Sequence, residues 1–174
     1  MTDIAEFRKI VDQQKERLYR LAYRLAGNHQ DAEDLSQEVF IKVYKNMDSF
    51  RGEAQISTWL YRITVNTWID KTRLKRHSSE TIHLDYEDER PVKANPFDAP
   101  EDYAQAEHLQ SDIDQALNLL SNRERTVFVL KHYQQLKFKE IAKIMEVSTG
   151  TAKSTMFRAM QKLRDALKEY QENG

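Results

Sequence analysis

Apolar positions in the first half of the chain recur at helical spacing. One series runs Phe7, Val11, Leu18, Leu21, Leu25, and a second runs Ala32, Leu35, Val39, Val43, Met47. Gly27 and Asn28 stand between them as a helix stop. A third helix is predicted from about Ser57, a good N-cap, through Trp59, Leu60, Ile63 and Thr67 to Arg76. Between Trp59 and Ile69 it is apolar almost all round, with Tyr61, Val65 and Trp68 opposite Leu60 and Ile63, the pattern of a helix in the middle of a bundle. Trp59, Tyr61 and Trp68 are accordingly read as core.

The periodicity then lapses. From His77 to Asp102 the chain carries all three prolines (Pro91, Pro96, Pro100) and dense acids, which describes an acidic flexible linker too polar to bury a core. Helical spacing resumes at Leu109, Ile113, Ala116, Leu117 and Leu120, and Val127 to Leu130 lie inside a helix starting near Ser121. The reading is all-α: two small helical domains, 1–76 and 105–174, joined by a linker over 77–104.

The last part of the chain has more specific patterning. Phe138, Ile141, Ala142 and Met145 mark a short helix, Glu146 to Ser148 a tight turn, and Ala152, Met156, Met160, Leu163 and Leu167 the buried stripe of a longer helix. Ala142 is small enough for a close crossing and Val147 can fill the angle, as a helix-turn-helix requires. At about 100° per residue the opposite face carries Thr151, Ser154 and Arg158, with Thr155 at its edge. These side chains, with Phe157 beside them, are the candidates to enter a major groove. The fork of Arg158 suits a guanine edge, Lys153 on the flank suits phosphate, and the free N–H groups at Ser148 to Gly150 suit a second phosphate. An ordinary solvated hairpin would share the amphipathic pattern, so the pattern alone leaves both readings open.

Composition and charge sharpen this picture. The 174 residues are 32% charged with only 4 Gly and 3 Pro, which favours helices over a strand-rich fold needing many turns. With no cysteine, disulfides, thiolate metal sites and cysteine nucleophiles are excluded, and the five histidines form no i, i+4 pair, so no metal and no cofactor is expected. No apolar run reaches membrane-spanning length, and a cytoplasmic protein without membrane insertion is expected. The formal net charge of −1 argues against a nucleic-acid partner until its distribution is read. Arg62 to Arg76 holds five basic residues against one acid, and Lys131 to Lys168 holds nine against three. Two basic regions flank an acidic one.

The string KEIAKIMEVSTGTAKSTMFRAMQKLR is similar to the helix-turn-helix of RNA polymerase sigma factors of the extracytoplasmic-function (ECF) group. DAEDLSQEVFIKVYKNMDSFRGEAQISTWLYRITVNTWIDKTR resembles the same group's first domain over nearly its whole length. Three positions depart from the family's habit: Ser148 replaces proline, Ala152 a branched aliphatic residue and Thr155 an arginine. The resemblance implies a non-enzymatic subunit that carries core RNA polymerase to promoter DNA and assists strand opening. It implies that Thr151, Lys153, Ser154, Thr155, Phe157 and Arg158 read the upstream (minus-35) element. At the downstream (minus-10) element, Phe50 and Asn66 would hold an unstacked base and Arg51 the backbone, with Lys71, Arg73, Lys75 and Arg76 along the duplex. From spacing alone, anchoring of its loop is the simpler role for Phe50.

The resemblance further implies that Asp31, Asp34, Leu35, Gln37, Glu38 and Phe40 dock on the clamp helices of the polymerase's largest subunit, although acids there also suit the helix dipole. The linker would run through polymerase channels, and an anti-sigma factor is an expected partner. Two rival readings stand beside this one. One is an autonomous helix-turn-helix regulator; the other is a metal-dependent nuclease built on the carboxylates from Asp31 to Glu38, which the local clustering of those acids disfavours.

Overall fold

The computed structural model describes residues 4–52, 54–80 and 113–172, and every regular element among them is helical. In order these are α1 (Ile4–Ala26), α2 (His29–Asn46), a single 3₁₀ turn (Met47–Ser49) and α3 (Ile56–Glu80). A short helical segment, α4 (residues 113–117), precedes α5 (Asn122–His132), α6 (Phe138–Met145) and α7 (Thr149–Glu172). The predicted linker, with its prolines and acids, falls almost wholly outside the described residues, as does Leu109. α3 continues past Arg76, where the first domain was predicted to end.

The first three helices form one bundle. Gly27 at φ +80° ends α1, its N–H donating to the Tyr23 carbonyl at 2.7 Å, a backbone that β-carbon-bearing residues adopt at a cost. Asn28 caps α2 at once, its side chain accepting from the Asp31 N–H at 2.8 Å. Two long helices thereby reverse direction within two residues. Leu18, Leu21, Ala22 and Leu25 pack with Ala32, Leu35, Val39 and Val43, and α3 closes the bundle with Leu60, Val65 and Trp68. α3 begins at Ile56, so Ser57 lies inside the first turn instead of capping it. Trp68 is core as expected, whereas Trp59 and Tyr61 are only half-buried.

The second bundle is built on α5, which opens with a capping box: the Ser121 hydroxyl accepts from the Glu124 N–H and the Glu124 carboxylate accepts from the Ser121 N–H. Glu124 is itself buried and paired with Lys162 of α7 at 2.8 Å. Val127, Val129, Leu130, Ile141 and Ala152 complete this core.

The two bundles pack against each other, α5 on α1 and α6 on α3, and their buried apolar side chains form one continuous cluster. A polar seam crosses it. Arg125 is only 9% exposed; its Nε donates to the Arg24 carbonyl at 2.6 Å and its Nη1 to Asn118 Oδ1 at 3.0 Å. The Arg24 guanidinium lies 3.7 Å from the centre of the Tyr133 ring. Burial pulls the Arg125 pKa down, against the opposing fields of Asp114, Tyr23 and Tyr133, and an arginine keeps its charge through such a shift.

Candidate nucleic-acid interface

The turn between α6 and α7 is set by local backbone chemistry. Glu140 reaches back to accept the Lys137 N–H at 2.8 Å and fixes the start of α6. The helix ends at Glu146, which sits in the left-handed region at φ +56°, and the Val147 N–H then closes on the Ala142 carbonyl at 3.0 Å. Ser148 caps α7, its Oγ accepting the Thr151 N–H at 3.0 Å and lying 2.8 Å from the Thr151 hydroxyl. Where the family's proline would only preset the backbone, this serine also holds Thr151.

The observed buried stripe of α7 is Ala152, Thr155, Met156, Ala159, Leu163 and Ala166. Met160 and Leu167, expected inside, are exposed, and Ala159 and Ala166 take the covered side of the helix instead. Thr155 is the larger correction. It is 4% exposed and faces the core, so it is closed to DNA, and its Oγ1 accepts from Arg158 Nη2 at 3.3 Å. Thr151, Ser154 and Arg158 share the exposed face, flanked by Lys153 and by Phe157, whose ring is 64% exposed.

In the first bundle, an open cleft of about 270 Å³ lies between α2 and α3, lined by Lys42, Asn46, Ser49, Trp59, Ile63, Asn66 and Thr67. Asn66 therefore opens onto this cleft. Phe50 is half-buried with its ring 5.1 Å from that of Trp59, so it anchors its loop to the start of α3. Arg51 and Arg73 are exposed; the side chain of Arg76 lies outside the described residues.

The acids of α2 divide into two sets. Asp31 pairs with Lys75 at 3.3 Å, and Glu38 pairs with Lys71 at 2.7 Å and Lys42 at 3.4 Å. For Asp31, burial works to raise the pKa, but the Asn28 amide and Lys75 outweigh it and hold the carboxyl below its ordinary value. Glu38 is lowered first by its hydrogen bond from Lys71, against desolvation. Glu33, Asp34 and Gln37 instead point to solvent. Leu35 is 0% exposed and can touch no partner, since it shares the core stripe of Val39 and Val43; Phe40 is half-buried against the core. Sequence reading missed Ile41, 55% exposed, and Tyr44, whose ring meets Phe7 edge-on at 5.1 Å; both are apolar positions that periodicity alone did not assign outward. Among the described residues, no group of three or more His, Asp or Glu is placed to hold a metal ion, and no helix is long and apolar enough to cross a membrane.

The described residues thus form two helical bundles, one ending in a helix-turn-helix and the other carrying a basic helix beside an acidic one. The family model "Sigma-70 region 2" matches residues 10–78, and "Sigma-70, region 4" matches residues 110–163. The chain is 36% identical to the ECF RNA polymerase sigma factor SigW of Bacillus subtilis (strain 168) over 94% of this chain and 89% of that one. It is 28% identical to the RNA polymerase sigma-H factor of Pseudomonas aeruginosa over 95% and 88%. In fold it is similar to the sigma factor RpoE of Bartonella quintana, solved with the anti-sigma factor NepR (TM-score 0.70, 24% identity, 95% of this chain and 98% of that one). It is also similar to CnrH, solved with the cytosolic domain of CnrY (TM-score 0.65, 20% identity, 96% and 90%). The chain belongs to the ECF group of RNA polymerase sigma factors.

Proposed function

We propose that this chain brings core RNA polymerase to a set of promoters through two DNA contacts and assists opening there, without catalysing a reaction of its own. The observation that carries the reading is the pairing of an exposed recognition face on α7 with the basic helix α3 and its Asn66 cleft, each in its own bundle. The first domain, predicted as 1–76 and carried by α3 to Glu80, is assigned to polymerase and the downstream element, and 105–174 to the upstream element, with the residues between them as the linker.

On α7, Arg158 reads a guanine edge, Thr151 and Ser154 approach neighbouring bases, Phe157 lies against apolar base surface and Lys153 holds phosphate. In the first bundle, Asn66 receives an unstacked base in its cleft and Arg51 and Arg73 contact backbone, so that binding the separated strand favours the open state. Asp34, Gln37 and neighbouring Glu33, with the apolar Ile41 and Tyr44, form the face for the clamp helices; an acidic rim around apolar contacts suits a basic helical partner. Two proteins of like fold were solved with anti-sigma factor NepR or with CnrY, which supports a proteinaceous inhibitor for this chain. The site of action is the cytoplasm.

Reconstituted transcription with bacterial core polymerase on a genomic fragment library tests this. Start sites that depend on the added protein are expected; their complete absence would remove the proposal.

A further inference from the structure

The outer face of α7 leans on a side chain that DNA cannot reach. Arg158 is exposed, yet its Nη2 donates to the Oγ1 of Thr155 at 3.3 Å, and Thr155 is buried. Side chains on a helix lean toward its N-terminal end, so a long residue reaches back naturally to the position three before it. Thr155 lies in the covered stripe with Ala152, Met156 and Ala159, where a β-branched side chain has little freedom to turn. Its hydroxyl is therefore a fixed acceptor at the edge of the core, and the guanidinium meets it from the solvent side.

A loose arginine reads a base pair at a cost. A long side chain free in water gives up rotamer freedom when it sets its plane against a base edge, and a bond already made in the free chain removes part of that loss. The hydroxyl takes one N–H of Nη2, and the fork keeps donors enough for both O6 and N7 of a guanine. We infer that Thr155 is a positioning residue for the upstream contact: without touching DNA, it holds the Arg158 fork ready for a base pair. This rests on the assignment of Arg158 to a base edge. The bond is long and only part-buried, so its effect is modest. It acts on which base pair is preferred, since phosphate contacts carry no sequence information.

The test compares Thr155→Val, which keeps the shape of the buried side chain and removes the acceptor, with Thr155→Ser, which keeps the acceptor. Each full-length variant is combined with core polymerase and given a promoter recovered in the reconstituted assay, its upstream element randomised; bound and free pools are then sequenced. Thr155→Val should lose roughly threefold to fivefold of preference at the base pair that Arg158→Ala flattens, with affinity averaged over all sequences changed less than about twofold. Thr155→Ser should keep the parent's preference, and adding Thr155→Val to Arg158→Ala should flatten the profile no further. A parent-like profile for the valine variant, or a loss spread evenly over every sequence, would overturn the positioning role, as would a serine variant that behaves like valine. If Arg158→Ala itself flattens nothing, the base-edge assignment falls, and the inference with it. A second measurement needs neither polymerase nor promoter. Nitrogen relaxation of the Arg158 Nε–Hε group in the free chain should show a more mobile side chain in Thr155→Val than in the parent or in Thr155→Ser. Equal mobility in all three would overturn the holding contact whatever the promoter data show. Thermal melts establish that every variant is folded.

Discussion

The Nε of Arg125 donates to the carbonyl of Arg24, 101 residues earlier, and so caps the last turn of α1 from the other bundle. Gly27 makes room for this: a β-carbon there would lie 3.1 Å from both terminal guanidinium nitrogens. Arg125→Ala leaves that carbonyl and the Asn118 amide oxygen without their donor, and a loss of about 2–3 kcal/mol in urea unfolding is expected. Gly27→Ala should cost about 1–2 kcal/mol through its positive φ alone, and more with Arg125 present. In the Arg125→Ala background most of the steric share should disappear, with only the Asn118 oxygen left at 3.3 Å. Strict additivity in that double-mutant cycle would show that the two residues do not press on each other.

Acid should weaken the contact between α2 and α3 before it unfolds the chain. Asp31 and Glu38 both have folded pKa values below their ordinary ones, so their pairs add stability above the ordinary carboxylate pKa. That contribution is lost as pH falls through the depressed folded values. Each pair is partly exposed, so less than about 1 kcal/mol per pair is expected. Stability measured from neutral pH downward should fall less steeply in Asp31→Asn plus Glu38→Gln than in the parent; parallel acid limbs would contradict this.

Glu124 is a stronger case, because its carboxylate is only 8% exposed and serves both the α5 cap and Lys162. Burial opposes its charge, but the hydrogen bonds from Lys162 and Ser121 prevail and lower its pKa. Glu124→Ala removes a cap and leaves Lys162 without its partner, and a loss of about 2–3 kcal/mol is expected. Lys162→Met leaves a buried carboxylate, so its acid sensitivity should shift to higher pH than the parent's, which a pH series of melts would reveal.

Glu146 occupies a left-handed backbone that glycine adopts without penalty. Glu146→Gly should therefore raise stability by about 1 kcal/mol while leaving the helix-turn-helix intact. A destabilised variant would mean that the Glu146 side chain makes a contribution larger than its backbone strain.

On promoter DNA, Arg158→Ala is expected to lose about 1–3 kcal/mol of discrimination at one base pair of the upstream element. Lys153→Ala should weaken binding to all sequences alike and lower the salt dependence by about one counterion. Binding titrations against a panel of single-base variants at two salt concentrations separate the two effects. A flat profile for the Arg158 variant relative to the parent would move base reading elsewhere on α7.

Most of the architecture could be read from periodicity, because Leu18, Leu21, Leu25, Leu35, Val39 and Val43 repeat at a spacing that only helices satisfy. The errors share one cause. Met160 and Leu167 are read as inside and Thr155 as at the edge of the outer face, yet the covered side of the helix is that of Thr155, Ala159 and Ala166, which is decided by the helices packed on it. Leu35 was given two incompatible duties, and burial assigned it to the core. The ion pairs of Asp31 and Glu38 join residues 44 and 33 positions apart, and Arg125 finds its carbonyl still further away. No local window contains such relationships. Arg125 stands two residues before the apolar run Val127 to Leu130, and nothing in the sequence names a partner for it.

The guanidinium of Arg125 gives the junction of the bundles a definite register. Greasy surfaces can slide over one another with little change in energy, whereas a planar fork finds its acceptors in only one setting. The bond from Arg125 to the Arg24 carbonyl thus sets where the start of α5 meets the end of α1, and with it the side on which the second bundle rests against the first.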